Sequence, residues 1–471
     1  MKRILFVLML ACSFIARAQV YNNEWIDYSK TYYKFKIGRN GLYRIPQSLL
    51  AASGMASTPA EQFQLWRNGK QVPIYTTIPT GIFSGGDYIE FWGVMNDGKP
   101  DNELYRVSNY QLNDHWSLET DTSTYFLTVN PVAVNNLRLQ SVVNDVASNV
   151  LPAEPYFMHK AGKYFKEELN KGYAVNVGDE LFSSSYDKGE GWSSQDIAMN
   201  GNVTFTLTNL QVYAGGPSPM IKVGISGNDI KPRRYKVLVN SDSVLGNEVD
   251  FFNHVMDTAS FSLNSLNSSS TSVTIYNYTN CTPSYCPTSD RMVVHQAEIT
   301  YPRTFDFSGY NNFEFSLPAS PTGNFLQISN LVYAGSVPVL YDLTNGKRYD
   351  ANISGGLLRF ALQPSATDRN LVLASETIYD IALVTDLQTR KFIDYTSPAN
   401  SGDYLIISHP YLFNGTNGVN PVEAYRAYRS SVAGGSYNAK IYLSEELIDQ
   451  FGFGIKKNPA GIRNFIRYAR N

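Results

Sequence analysis

Three features of this sequence predict a mainly β protein, with antiparallel sheet and β-sandwich domains followed by the first βα units of an α/β layer. Tyr (33) and Phe (25) are abundant while charged residues are sparse, a composition suited to pleated, half-buried strand surfaces. Short alternating runs separated by turn residues recur as far as Ala374, the spacing of sandwiches and meanders. After Asp403 the pattern changes to a continuous apolar strand, a capped helix, a second strand and two more helices, which is how a parallel layer reads.

In chain order, Lys2 and Arg3, the apolar run Ile4 to Ile15 and Ala16-Arg17-Ala18 read as a secretory signal ending at residue 18. A lipoprotein anchor on Cys12 fits less well, because it shortens the apolar region. Tyr32 to Ile37 and Leu42 to Ile45 alternate around Asn40-Gly41 and read as a hairpin. A short helix is expected over Gln47 to Ser53, ended by Gly54. Leu65 to Trp66, the Asn68-Gly69 turn, Val72 to Thr76, Tyr88 to Trp92 and Thr124 to Val129 continue the β pattern. Pro155 to Trp192 is irregular and reads as a connection or surface excursion. Strands return at Val203 to Leu207, Met220 to Ile225, Arg234 to Val239, Ser272 to Tyr278 and Met292 to Thr300, spaced as in a sandwich. Phe313 to Leu317, Phe325 to Ile328, Pro338 to Asp342, Leu357 to Leu362 and Asn370 to Ala374 form a further group.

The last stretch carries its own punctuation. Tyr404 to Ile407 is a buried parallel strand by pattern, bounded by His409 and Pro410. Asn420 then caps a helix that starts at Pro421, with Glu423 in its first turn, and Gly434-Gly435 ends it. Ala439 to Leu443 is the next strand, and Ser444 the next N-cap, with Glu445 and Glu446 at the positive end of the dipole. Asn458-Pro459 starts a final helix whose inner face is expected to hold Ile462, Phe465, Ile466 and Ala469. Two parallel strands do not bury both helix layers by themselves, so the sequence reads as stopping before this layer is complete.

The length of 471 residues suggests about three folding units. The domains expected are a signal peptide over 1–18, a β-rich domain over 19–155, a β-sandwich region of two units over 156–400, and an incomplete α/β domain over 401–471. The 39 basic and 41 acidic residues give a net charge of -2, so nothing attracts nucleic acid. No segment after the signal has the roughly 18 apolar residues of a membrane span. Cys281 and Cys286, in NCTPSYCPTSD, read as a local disulfide in an exported chain, two thiols being too few for a metal site.

The strings DYLIISHP, VEAYRAYRSS, IYLSEELIDQFGFG and NPAGIRNFIRYA resemble the opening of the gingipain-type cysteine peptidase domain. YKFKIGRNGLYRIP, LWRNGKQVP, GDYIEFWG, SSYDKGEGW and AEITYPR resemble the β-rich leader of PorU-type sortases of the type IX secretion system. The resemblance implies a cysteine peptidase that cleaves C-terminal signal domains from secreted proteins. It implies outer-membrane secretion components and proteins bearing such signals as partners, and an exported chain at the outer membrane or cell surface, or in the periplasm. In that family the catalytic His and Cys lie beyond the point where this sequence stops, so it implies no catalytic residue here and no activity from this chain alone. A non-enzymatic β-sandwich surface or secretion-scaffold protein is the alternative reading.

Few residues compete for a chemical role. His409 sits at the end of a parallel strand, where α/β folds place their sites, but without a nucleophile it reads as a structural or substrate-lining residue. His115, His159, His254 and His295 have no metal-ligand spacing. Asn96, Asp97, Asp101, Asn102 and Glu103 offer hard oxygen ligands without the order of a calcium loop, and read as a solvated turn. Asp187 and Glu190, in a stretch that also holds Gly189 and Gly191, read as a demanding turn rather than a glycosidase pair. No cofactor or metal is expected.

Overall fold

The structure, a computed structural model, describes residues 20–183, 185–278 and 290–470. The expected signal peptide and the expected Cys281–Cys286 pair lie outside the described residues. The described residues divide into two units, one drawn from residues 32–67 and 71–390, the other from 20–31, 68–70 and 391–470.

The larger unit is built from antiparallel sheets around separate cores. Its first layer pairs Tyr32–Ile37 with Ser123–Val129, which pairs in turn with Phe63–Arg67. A second sheet runs Ile381–Leu383, Gly41–Pro46, Tyr88–Gly93, Tyr75–Thr76, and Phe35, Ile45, Leu65, Phe91 and Leu127 meet in one core. The hairpin expected around Asn40-Gly41 therefore does not form. Tyr32–Ile37 and Gly41–Pro46 belong to different sheets, because each has an apolar face to give to the same core and facing sheets satisfy both. The turn expected at Asn68-Gly69 does have the backbone that such a turn requires, with φ of 48° and 70°.

The central part is a sandwich. One sheet has Arg291–Arg303 paired with Met220–Gly227 and, on its other side, with Phe157–Tyr164; the other runs Asn202–Thr208, Ser270–Tyr278, Arg233–Val239, Asp242–Val249. Ile221, Val223 and Ile225 face Tyr235, Val237, Val273 and Ile275 in the core. Two expectations change here. The stretch read as irregular contains the eight-residue strand Phe157–Tyr164, whose Lys-rich sequence suits an edge position. Asp242–Val249 and His254–Ser260 are also strands, although largely solvent-facing. A third core, with Phe307, Phe315, Leu326, Tyr349, Phe360 and Leu373, lies among the strands from Asn312 to Ala374.

The smaller unit holds the α/β layer: β1 (Tyr404–Ser408), α1 (Pro421–Ser430), β2 (Ala439–Leu443), α2 (Ser444–Phe451) and α3 (Ala460–Arg470). β1 and β2 pair in parallel, Tyr404 opposite Ala439 and Ser408 opposite Leu443. Asn420 caps α1, its Oδ1 accepting from the backbone N–H groups of Val422 and Glu423 at 3.0 and 3.1 Å. Ser444 is the first residue of α2 rather than its cap, and Leu443 before it makes no side-chain cap. Tyr395, Tyr442, Leu447, Phe451 and Phe465 form the core. The inner face of α3 differs from the expected one: Gly461, Asn464 and Phe465 are buried while Ile466 is 47% exposed. Asn464 donates to the carbonyl of Phe451 and Gly461 lies against Ile448, so close backbone approach and one hydrogen bond set the rotation of the helix, not hydrophobicity alone.

Candidate functional site

The parallel register brings the ends of β1 and β2 side by side, so that His409 and Glu445, each one or two residues beyond its strand, stand together at the carboxyl edge of the sheet. That edge is where open α/β sheets carry their sites. His409 Nδ1 accepts from the N–H of Tyr411 at 3.1 Å, which leaves the ring proton of the neutral form on Nε2, 3.4 Å from Glu445 Oε1. The side chains are 32% and 65% exposed, so the pair contributes little to stability. What it does supply is a fixed imidazole tautomer and a carboxylate at the mouth of the layer. The neighbouring Ser408 hydroxyl is buried without a partner and offers no activated nucleophile. All three cysteines, Cys12, Cys281 and Cys286, lie outside the described residues. Among the described residues the edge has an oriented imidazole and no thiol beside it.

The other candidate histidines make no metal-binding set among the described residues. His295 is fully buried in the sandwich, with Nδ1 against the Trp192 carbonyl and Nε2 against Ser226 Oγ, each at 2.9 Å; burial pulls its pKa down to about 4. His159 is ringed by Phe157, Tyr301 and Phe313 and is also pulled to about 4 by burial and, secondarily, by Arg303. His254 packs edge-on to Tyr110, and His115 pairs with Asp114 at 3.0 Å. Among the described residues no group of three or more His, Cys, Asp or Glu side chains is placed to hold a metal.

In the loop of Asn96 to Glu103, the carboxylate of Asp101 accepts from Ser117 Oγ and the Leu118 N–H, both at 2.8 Å. Asp97 is held by Lys99, and Asn102 donates to the Ser108 carbonyl and Gln111. Burial pushes Asp101 up to about 6. In the turn of Asp187 to Trp192, Glu190 accepts from the N–H of Asp187, Arg106 pairs with Asp187, and Gly189 and Gly191 have φ of 67° and 134°. The turn fastens itself, as its glycines suggested, with both carboxylates spent on it.

Sequence reading missed the densest ionisable cluster. Glu90, fully buried, binds Arg44 at 2.6 Å and takes the Tyr341 hydroxyl. Glu376 binds Arg44 at 3.2 Å and Arg348 at 2.8 Å. Burial and Glu376 raise the pKa of Glu90. Arg44 and Glu90 are cross-strand partners, the one local signal available. Arg44 and Arg348 are held by Glu90 and Glu376, and Arg348 also by Asp350 at 2.7 Å, so the charges are spent on one another and the cluster reads as structural cement.

This arrangement, antiparallel β sandwiches ahead of a parallel βα layer, is the class of protein the fold defines. The family model for Peptidase family C25 matches residues 397–471, the stretch that contains that layer. A dimeric latent PorU from Porphyromonas gingivalis shares the fold with a TM-score of 0.57 at 12% identity, over 94% of this chain and 40% of that one. The chain thus spans well under half the length of that structure. The CBM36-1 domain of a multidomain xylanase from the hindgut metagenome of Trinervitermes trinervoides aligns over 30% of this chain and 96% of its own, at 7% identity and a TM-score of 0.17, too low to carry an argument. No curated protein matches the sequence. Among the described residues no helix is long and apolar enough to cross a membrane.

Proposed function

We propose that this chain supplies the β-rich leader and the opening α/β layer of an exported, sortase-like cysteine peptidase acting in type IX secretion. The whole enzyme would cleave C-terminal signal domains from secreted proteins, working at the outer membrane with the secretion components there. The reaction is thiol acyl transfer: a thiolate attacks the carbonyl at the signal junction, the junction C–N bond breaks and the signal domain leaves as a protonated amine, and water or an acceptor amine then resolves the thioester and returns the thiol. The observation that carries the reading is that the C25 match falls on a parallel β1–α1–β2 unit while the PorU likeness runs through the leader as well. In this reading His409 and Glu445 border the substrate at the carboxyl edge of the sheet, and the catalytic His and Cys come from sequence other than that described.

The test is to read the genomic DNA beyond the codon for Asn471. An open frame that encodes further parallel strands with a His and a Cys, directly or after a frameshift, supports the peptidase. A confirmed stop followed by unrelated sequence overturns it and leaves the β-sandwich scaffold as the reading to pursue.

A further inference from the structure

Three loops of the larger unit, one after Asn202–Thr208, one after Arg291–Arg303 and one after Asn324–Ile328, meet around a cleft of about 490 Å³. Their backbone is unusual. Asn209, Gln211, Ser308 and Asn330 all line the cleft and have φ of 57°, 50°, 52° and 56°; they are four of the thirteen non-glycine residues with positive φ among the described residues, so such residues gather here. Asn tolerates that region, but Gln and Ser are not favoured in it and glycine would hold the same backbone at less cost. What a non-glycine residue adds at such a position is its side chain. Arg303, 2% exposed, ties two of the loops together: its Nη1 donates to the carbonyls of Asn209 and Leu210 at 2.5 and 3.1 Å, and its Nη2 to the Asp306 carbonyl at 2.9 Å and to Ser308 Oγ at 3.2 Å. The Asp306 carboxylate fixes the third loop, accepting from the Asn330 amide at 2.6 Å and from the Ser308 N–H at 2.8 Å.

We propose that this cleft binds a neutral saccharide. Charge favours a neutral ligand: Asp306 is the one ionisable residue in the lining, and the guanidinium of Arg303 lies against its backbone, so the site attracts neither an anion nor a cation. Hydrogen bonding favours a ligand rich in hydroxyls. The side-chain amides of Asn209 and Gln211, both in the lining, make no hydrogen bond among the described residues, and each offers donors and an acceptor. Each carboxylate oxygen of Asp306 keeps a lone pair beyond the bond it already accepts. Paired donors and acceptors of this kind suit vicinal hydroxyls, and Leu331 and Val332 supply apolar surface for the C–H face of a sugar ring. The proposal rests on these residues alone and stands whether or not the peptidase reading does.

The experiment is saturation-transfer NMR on the full chain and on the Asn209→Gly/Gln211→Gly double variant, with free glucose, galactose, mannose, xylose and N-acetylglucosamine as probes and inorganic sulfate as competitor. Glycine suits the positive φ at both positions, so the variant should keep the fold, read by circular dichroism, while losing both amides. Transfer to at least one of these sugars is expected from the natural chain, unaffected by sulfate, and weakened by about tenfold or more in the variant, as the loss of two ordinary hydrogen bonds requires. No transfer to any of the sugars, equal transfer from the variant, or displacement by sulfate would each overturn the proposal. A variant that fails to fold would overturn it as well, because the two amides would then be structural.

Discussion

Replacing Phe465 tests the packing of the α/β layer where it is most exacting. Phe465 is 1% exposed, and its ring centroid lies 5.2 Å from Tyr395, 4.7 Å from Tyr442 and 5.5 Å from Phe451. Truncating a buried Phe to Ala costs about 3–5 kcal/mol, less where neighbours can relax into the space. Phe465 borders the cleft beneath Tyr21, so Tyr395 and Tyr442 have room to move, and the lower end, about 3 kcal/mol, is the expected loss. At about 1.36 kcal/mol per decade this corresponds to roughly a hundredfold larger opening constant. Native-state hydrogen exchange of the α2 and α3 amides measures it directly. The matched control is Ile466→Ala, one residue along and 47% exposed, which should change stability by less than about 0.5 kcal/mol. If the Phe465→Ala variant shows less than a tenfold change, or if Ile466→Ala costs as much, the rotation of α3 described above is wrong.

Three further outcomes follow from other sites. Asp101 titrates near 6 in the folded chain against an ordinary 3.8, chiefly through burial. A raised carboxylate pKa gives stability that is full below about pH 4 and lost as pH rises through 6, about 3 kcal/mol in all; the stability gap between the natural chain and Asp101→Asn, from urea melts at pH 4 and pH 7, should shift by that amount in favour of the variant. Gly227→Ala would place a Cβ 1.7 Å from Arg233 Nη1 and 1.8 Å from the Phe251 carbonyl oxygen, disturbing the buried Arg233–Asp290 pair, and thermal unfolding should show a loss above about 3 kcal/mol. Asn420→Ala removes the α1 cap and should cost about 1 kcal/mol, seen as faster exchange confined to the first turn of α1.

The parts of this fold legible in the sequence are those where local chemistry and tertiary context agree. Asn420-Pro421 marks a helix start by itself, and Tyr404 to Ile407 reads as a parallel strand because it is an unbroken apolar run, although these four residues are half-buried rather than buried as expected. Asp242–Val249 and His254–Ser260 escaped because their side chains mostly face water, leaving no apolar alternation to detect. The false hairpin at Asn40-Gly41 came from a turn signal that is local, whereas the choice between pairing two strands and placing them in facing sheets is made by the shared core. Ile466 was misplaced because helical periodicity treats Gly461 and Asn464 as neutral, while the packing against Ile448 and Phe451 turns on them. His409 was legible as a residue at a strand end, but its orientation depends on Tyr411 and Glu445, and the latter lies 36 residues away.

The central claim is that this chain is part of a sortase-like cysteine peptidase. The most direct measurement is to probe source cells with an antibody raised against residues 391–470 while labelling them with a thiol-reactive peptidyl inhibitor. The account predicts a cell-envelope polypeptide longer than 471 residues that carries both signals and loses the label when excess unlabelled inhibitor is present. A recognised polypeptide of 471 residues or fewer that never takes up the label would contradict it.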